Sequence, residues 1–248
     1  MKPICSWLSG LSGVLFDFDG VLIDSGSDIA ASVNALLGTQ GFAPLSKEQI
    51  VSFVGNGAKK LLERAFAAAL SVPGAPPHDA ADFKDGSERF ASLFSWYVSY
   101  YTAHCAEQTV LYPGAETLLR ALSDKGIALG VVSNKPLAVS CAILSELHID
   151  RYFMAVVGPE QLSRIKPDPE GLILAYSYIN HARAQRGLAA LVPEQLLMVG
   201  DSRTDIEAGQ AFGCRTCAVT GGLGSTRELL SLPADITVRY AGDLRELL

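Results

Sequence analysis

The chain has 248 residues, of which 49% are hydrophobic and 19% charged, with a formal net charge of −6. This composition excludes intrinsic disorder, which requires low hydrophobicity and high net charge. With 23 Gly, 12 Pro and 5 Cys it is neither collagenous nor a disulfide scaffold. No long Lys/Arg run breaks the acidic balance, so the positive stripe that nucleic-acid binding needs is missing from the sequence. An acidic protein that binds a small anion must then build a local positive site from amides, a few Lys/Arg or a metal ion.

A chain this long buries roughly 70–75% of its unfolded surface and needs no metal or disulfide staple. Its five cysteines (Cys5, Cys105, Cys141, Cys214 and Cys217) are odd in number, as expected of reduced usage. Cys214 and Cys217 form C-x-x-C without a second pair or a His cluster, so they read as small residues flanking a buried strand. No apolar run reaches the ~18 residues of a membrane span. The opening MKPICSWLSGLSG lacks a clean apolar segment and a cleavage site. The expected location is the cytoplasm, with no membrane partner, as a monomer or homodimer.

In chain order, the first apolar run is Gly13–Phe18 in GVLFDFDG. Similar runs follow at Ile127–Asn134, Tyr152–Gly158, Gln195–Asp201 and Cys214–Gly222. Short Val/Leu/Ile-rich runs bounded by Gly, Asp or Ser read as strands buried on both faces. Helical patterns separate them at Ala115–Lys125, Leu137–Leu147 and Arg203–Phe212, two of which stop at Gly126 and Gly213. Strand–helix alternation predicts an α/β fold with a doubly wound parallel sheet. From Asp24 to Thr109 no strand pattern is found. Helical patterns run over Ser27–Gln40, from a capping box at Ser46 and Gln49, over Ala58–Leu70, and over Ala80–Ala106 with Phe90, Phe94, Tyr97 and Tyr101 on one face. The predicted organisation is a core of residues 1–23 and 109–248 with a helical insertion over 24–108.

The chemistry lies at the strand ends. Asp17 and Asp19 follow the first strand at i and i+2, on the edge where open α/β sheets bind ligands. Two such acids repel each other, so one is pushed toward its neutral form unless a cation intervenes. Asp201 and Asp205, in MVGDSRTD, follow another strand and stand one helical turn apart. Carboxylates converging on one edge suit a hard dication with oxygen ligands, such as Mg²⁺. Ser133 and Asn134 end the strand IALGVVSN, where a hydroxyl and helix-start amides can cradle phosphate oxygens. Lys166, in RIKPDP, is a cation on a proline-stiffened turn. Taken singly, each has an ordinary reading as a loop, an N-cap or a surface lysine.

Taken together and in this order, DFDGVLIDS, VVSNKP, KPDP and GDSRTD resemble the four motifs of the haloacid-dehalogenase superfamily of aspartate-nucleophile phosphatases. Within it the chain is similar to phosphoglycolate phosphatases, through DSGSDIAASVNALL, FVGNGAKKLLERA, YPGAETLLRAL and SNKP. The resemblance implies a Rossmann-like core with an inserted α-helical cap and a Mg²⁺ cofactor. It implies that Asp17 is the nucleophile, that Asp19 is the general acid and then base, and that Ser133 and Lys166 hold phosphate oxygens. Asp201 then ligates the metal with the Asp17 carboxylate and the Asp19 backbone carbonyl, while Asp205 supports the metal or orients Lys166. The implied partner is a small anionic phosphate ester. Gly55, Asn56 and Gly57, before a helix carrying Lys59, Lys60 and Arg64, are expected to take a substrate carboxylate, and Asn134 to join in substrate binding.

Other readings stay open at this point. One is a phosphatase for a sugar phosphate, nucleotide or pyrophosphate. A β-phosphoglucomutase-like enzyme is disfavoured because SGSDIAASVNALL holds no His. A phosphonate hydrolase needs a Lys near the first motif, and a receiver domain lacks both DxDG and the insertion. Two stretches depart from the pattern: the basic segment Ile179–Val192, and TGGLGSTRE over Thr220–Glu228.

Overall fold

The computed structural model describes residues 6–247; Cys5 lies outside them. The chain divides into two compact units. One runs up to Asp24 and resumes at Val110, and the other is Ser25–Thr109.

The first unit is built on a six-stranded sheet of β1 (Gly13–Phe16), β4 (Ala128–Val132), β5 (Ala155–Val157), β6 (Leu196–Gly200), β7 (Arg215–Val219) and β8 (Ile236–Val238). Their order is β5-β4-β1-β6-β7-β8, and every pairing is parallel. This is the doubly wound arrangement expected from the alternation. β1, β4 and β6 are buried at every position, as continuous apolar runs in the middle of a parallel sheet require. Helices α5 (Ala115–Asp124), α6 (Leu137–Glu146), α7 (Glu170–Gln185) and α8 (Arg203–Phe212) alternate with the strands. Gly126 and Gly213 take positive φ after α5 and α8, as helix-stopping glycines do. The chain returns beside β1 after β5, so the order reverses there, where open α/β sheets place their ligand crevice.

Leu15 of β1 and Met198 of β6 share a buried cluster with Leu172, Ala175 and Ile179 of α7. The basic stretch Ile179–Val192 is therefore no extended linker. Its first half completes α7, and Asn180 then binds Leu191 through both its amide groups (2.8 and 3.4 Å). The strand β8 and the short helix α9 (Thr226–Leu229) were not legible, because three and four residues are too few to show a period. The Cys214 and Cys217 thiols are buried just before β7 and within it. Burial pushes Cys214 up to about 12 and Cys217 further in the same direction. That is how inert structural cysteines behave.

The second unit has no strand among its described residues; β2 (Ile23–Asp24) and β3 (Val110–Leu111) pair antiparallel at its two ends. Its helices are α1 (Gly26–Thr39), α2 (Lys47–Val51), α3 (Ala58–Leu70) and α4 (Glu88–Ala103). The Ser46 hydroxyl caps α2 by accepting from the Gln49 N–H, as the capping box predicts. The long aromatic helix expected over Ala80–Ala106 is instead two pieces, a 3₁₀ turn at Ala80–Phe83 and then α4. Gly86 breaks it with φ +101, and Ser87 starts α4 by accepting from the Phe90 N–H at 3.0 Å. Phe90, Tyr97 and Tyr101 are buried on the inner face, so the aromatic stripe is core.

Asp28, in the first turn of α1, closes this unit. Its buried carboxylate accepts the backbone N–H groups of Gln108 (3.0 Å) and Thr109 (2.8 Å) and the Thr109 hydroxyl (2.7 Å). The Asp28→Ala variant leaves the two buried Thr109 donors unmatched, at a cost of about 2–3 kcal/mol. Its melting temperature is expected to fall by roughly 5–10 °C, which differential scanning calorimetry will measure.

Candidate active site

β1, β4 and β6 run parallel with Phe16 opposite both Val131 and Val199. Asp17, Ser133 and Asp201 are the residues that follow strands or nearly so, and all three come to one sheet edge. The Asp17 N–H bonds Val199 O at 2.8 Å and the Ser133 N–H bonds Val157 O at 3.0 Å, carrying the ladder past the strand ends. Parallel register thus gathers residues that lie far apart in sequence.

The third element is Lys166. Its ammonium is buried and makes three contacts: Val132 O at 2.6 Å, Asp17 Oδ1 at 2.9 Å and Asp205 Oδ1 at 2.7 Å. Asp205 is held from its other side, since its Oδ2 accepts from the Ser202 N–H (3.0 Å) and the Ser202 hydroxyl (2.6 Å). Asp205 therefore orients Lys166. The Asn134 side-chain amide donates to Lys166 O at 3.3 Å, tying the Lys166 loop to the end of β4. After Asp17 the chain turns tightly, with Phe18 O accepting from Val21, Leu22 and Ile23.

Asp19 faces a partner that sequence reasoning missed. Lys135 is buried, and its ammonium donates to both Asp19 carboxylate oxygens at 2.9 Å. Its N–H also reaches the Ser133 hydroxyl at 3.3 Å. The signal was present in the string SNKP, but a lysine next to a proline reads as surface until the fold shows what it faces. The Asp19 carboxylate thus lies on Lys135, and the acidic cluster is made by the other three.

Asp17, Asp201 and Asp205 each offer one carboxylate oxygen, and these oxygens lie within 4.8 Å of one another. With Asp19 there are four carboxylates against the two ammonium groups of Lys135 and Lys166, a formal excess of two negative charges when all are ionised. Burial pushes Asp17 up to about 6; Lys166 pulls it down, and Asp205 and Asp19 push it further up. Asp201 is likewise raised, by burial first and then by Asp17 and Asp205, against the N–H groups of Gly224 and Leu223. Burial alone would lower Lys166, yet Asp17 and Asp205 outweigh it and hold the ammonium above its ordinary range. An all-oxygen set with two uncompensated charges fits a hard dication.

The expected cap residues lie in the second unit. Asn56 Oδ1 accepts from Arg64 (2.8 Å), which also donates to Phe53 O (3.0 Å), so Arg64 fastens the loop that contains Gly55 and Gly57. Gly57 starts α3 with no side-chain cap. Lys59 pairs with Asp85 at 3.1 Å, both about half exposed, and so does not stand alone as an anion-binding cation.

The sequence model for haloacid dehalogenase-like hydrolases matches residues 14–219. The chain belongs to this family. It is an enzyme, a phosphoric monoester hydrolase similar to phosphoglycolate phosphatases. The phosphoglycolate phosphatase of Salmonella typhimurium is 35% identical over 96% of this chain and 92% of its own length. That of Escherichia coli K12 is 33% identical over 94% and 91%. Among solved structures, a predicted phosphoglycolate phosphatase from Haemophilus somnus covers 96% of this chain and 98% of its own at TM-score 0.78 and 27% identity. CbbY from Rhodobacter sphaeroides, solved with phosphate, shares the fold at TM-score 0.69 and 19% identity. No helix among the described residues is long and apolar enough to cross a membrane.

The raised Asp17 has a sign that can be tested. Between its ordinary value near 3.8 and about 6, the folded chain holds a proton that the unfolded chain has released. Metal-free stability therefore falls as pH rises through that window. Asp17→Asn cannot ionise and escapes this loss. In metal-free buffer its melting temperature should rise relative to wild type as pH goes from about 4 to about 6, then hold a constant lead. An equal pH profile for the two proteins would refute the electrostatic account.

Proposed function

We propose that this enzyme is a Mg²⁺-dependent phosphatase that hydrolyses 2-phosphoglycolate to glycolate and phosphate through an aspartyl-phosphate on Asp17. The observation that carries the reading is the pairing of Asp17 with Lys166 and of Asp19 with Lys135 on one sheet edge. Two carboxylates two residues apart are thereby given different partners and can take different roles.

Lys166 fixes Asp17 Oδ1, so Oδ2 is the oxygen that attacks phosphorus. As the Asp17 O–P bond forms, the P–O bond to glycolate breaks, and Asp19, which enters the step carrying a proton, gives it to the departing oxygen. Asp19 then takes a proton from water. That water attacks phosphorus, breaks the Asp17 O–P bond and releases phosphate. The Ser133 hydroxyl, together with Asn134, donates to the phosphoryl oxygens. Asp17, Asp201 and the Asp19 carbonyl would hold Mg²⁺, with Asp205 supporting the ion or orienting Lys166. When bound, the ion neutralises phosphoryl charge. The order of donors matters, because stabilisation aimed at the developing charge is where most of the acceleration arises.

The choice of 2-phosphoglycolate rests on the curated relatives at 33–35% identity over nearly the whole chain. Selectivity is assigned to the Ser25–Thr109 unit, with Gly55, Asn56, Gly57 and Lys59 as the residues to test for carboxylate recognition. The cytoplasm is the proposed compartment.

Phosphate release should be measured with 2-phosphoglycolate, p-nitrophenyl phosphate, sugar phosphates and pyrophosphate. Turnover is expected to be highest on 2-phosphoglycolate, to vanish with EDTA and to return with Mg²⁺. Asp17→Asn should show none, and Asp19→Asn should lose roughly 10²–10⁴ in kcat. A preference for a sugar phosphate would keep the chemistry and replace the substrate. EDTA-insensitive turnover would overturn the metal assignment. Lys135→Met should reduce kcat by roughly tenfold or more with a smaller change in KM, since it acts through Asp19; an unchanged kcat would remove it from the mechanism.

A further inference from the structure

The stretch TGGLGS (Thr220–Ser225), which departs from the family pattern expected there, wraps the Asp201 carboxylate. The N–H groups of Leu223 and Gly224 both donate to Asp201 Oδ2, at 2.7 and 2.9 Å. Among the described residues no N–H reaches Oδ1. Asp201 is thus held by one oxygen and presents the other.

The glycines are what allow this wrapping. A Cβ on Gly222 would stand 2.5 Å from Asp201 Oδ2 and collide with Gly20 O. A Cβ on Gly224 would collide with the Asp201 carbonyl oxygen. Gly20, at φ +80, is pressed against the same carboxylate, where a Cβ would overlap Asp201 Oδ2. Three glycines from two loops therefore close on one side chain.

The loop is anchored at both ends. The Thr220 N–H bonds Val238 O (3.0 Å) and the Gly221 N–H bonds Arg239 O (2.7 Å), which extends the β7–β8 pairing. The Thr226 hydroxyl donates to Thr220 O at 2.8 Å, and Ser225 caps α9. The elements missed in the sequence, β8 and α9, are thus the ones that hold the loop.

We propose that the Gly222–Gly224 loop is a positioning element that sets cation affinity by locking the Asp201 carboxylate through its Oδ2. The proposal rests on the reading of Asp17, Asp201 and Asp205 as a divalent-cation site. Losing an interaction that orients a metal ligand typically lowers metal affinity about 10–100-fold. The loop touches no substrate group in this account, so its effect falls on the cation.

The test is Mn²⁺ binding by electron paramagnetic resonance on full-length wild type, Gly222→Ala, Gly224→Ala and Leu223→Ala, with Mg²⁺ competition. The alanine variants at the glycines should bind Mn²⁺ at least about tenfold more weakly, and Leu223→Ala, which keeps both amides, within about twofold of wild type. In phosphatase assays the Mg²⁺ concentration for half-maximal rate should rise by the same factor. The kcat at saturating Mg²⁺ and the KM for the ester should stay within about threefold; a loop that only supported the fold would lower kcat instead. If the glycine variants do not fold, amide NMR of wild type decides. The Leu223 and Gly224 signals should shift with Mg²⁺ and saturate at the dissociation constant found by competition. Folded Gly222→Ala and Gly224→Ala proteins with wild-type Mn²⁺ affinity, or amide signals indifferent to Mg²⁺, would overturn the proposal. Wild type that binds no Mn²⁺ would instead overturn the cation reading beneath it, and the proposal with it.

Discussion

Like charges crowded at one buried edge are the constraint on which the rest depends. Neighbouring strands stand about 4.8 Å apart, so a parallel register forces whatever follows β1 and β6 into contact. Here that means Asp17 against Asp201, with Asp205 one turn on. Two charges 4 Å apart repel by about 4 kcal/mol at an effective dielectric of 20. The surrounding groups are then legible as compensation: Lys166 between Asp17 and Asp205, Lys135 on Asp19, two amides on Asp201 and Ser202 on Asp205. The compensation is incomplete, and the incompleteness is what makes a place for a dication.

This arrangement changes what the two lysines can do. Lys166 has three donors and three acceptors, so in the proposed reaction it serves an incoming phosphate through its field and through the aim it gives Asp17. Lys135 holds both oxygens of Asp19, which keeps that carboxylate off the acidic cluster. In the proposed reaction the donors to phosphoryl oxygens are the Ser133 hydroxyl and Asn134, at the end of β4. A neutral donor set suits this task, because another fixed cation would compete with the metal for the same carboxylates. The low dielectric that makes unpaired charge costly also strengthens each of these contacts.

Much of this was legible before any coordinates. The five apolar runs became strands two to four residues shorter than the runs, although the Asp17 and Ser133 N–H groups still extend the ladder past β1 and β4. Asp17, Ser133, Lys166 and Asp201 were readable because each sits at a strand end or beside a proline, and Asp205 because it stands one helical turn after Asp201. What escaped notice has a common cause. β8 and α9 are too short for a period, and Lys135 and the Gly222–Gly224 loop act through atoms whose partners lie 116 and 22–23 residues away. The aromatic pattern over Ala80–Ala106 carried the opposite error: hydrophobic spacing survived across Gly86, but the helix did not, since φ +101 is outside helical geometry.

The insertion between β2 and β3 is a compact unit of its own. The Ser25–Thr109 unit enters and leaves through a two-residue antiparallel pair, so its sequence can change without altering the register that gathers the carboxylates. It also has a core of its own, in which the rings of Phe66 and Phe83 stack at 4.2 Å and Phe42 meets each at 6.1 and 5.7 Å. Asp28 seals its ends with charge-assisted bonds to Gln108 and Thr109. The polar residues of the Gly55–Gly57 loop and the start of α3 are by contrast tied by exposed contacts, Lys59 to Asp85 and Asn56 to Arg64. Exposed pairs are worth little and exchange easily. The buried edge of the sheet thus fixes where the carboxylates gather, while the polar residues of the Gly55–Gly57 loop sit where substitution costs the fold least.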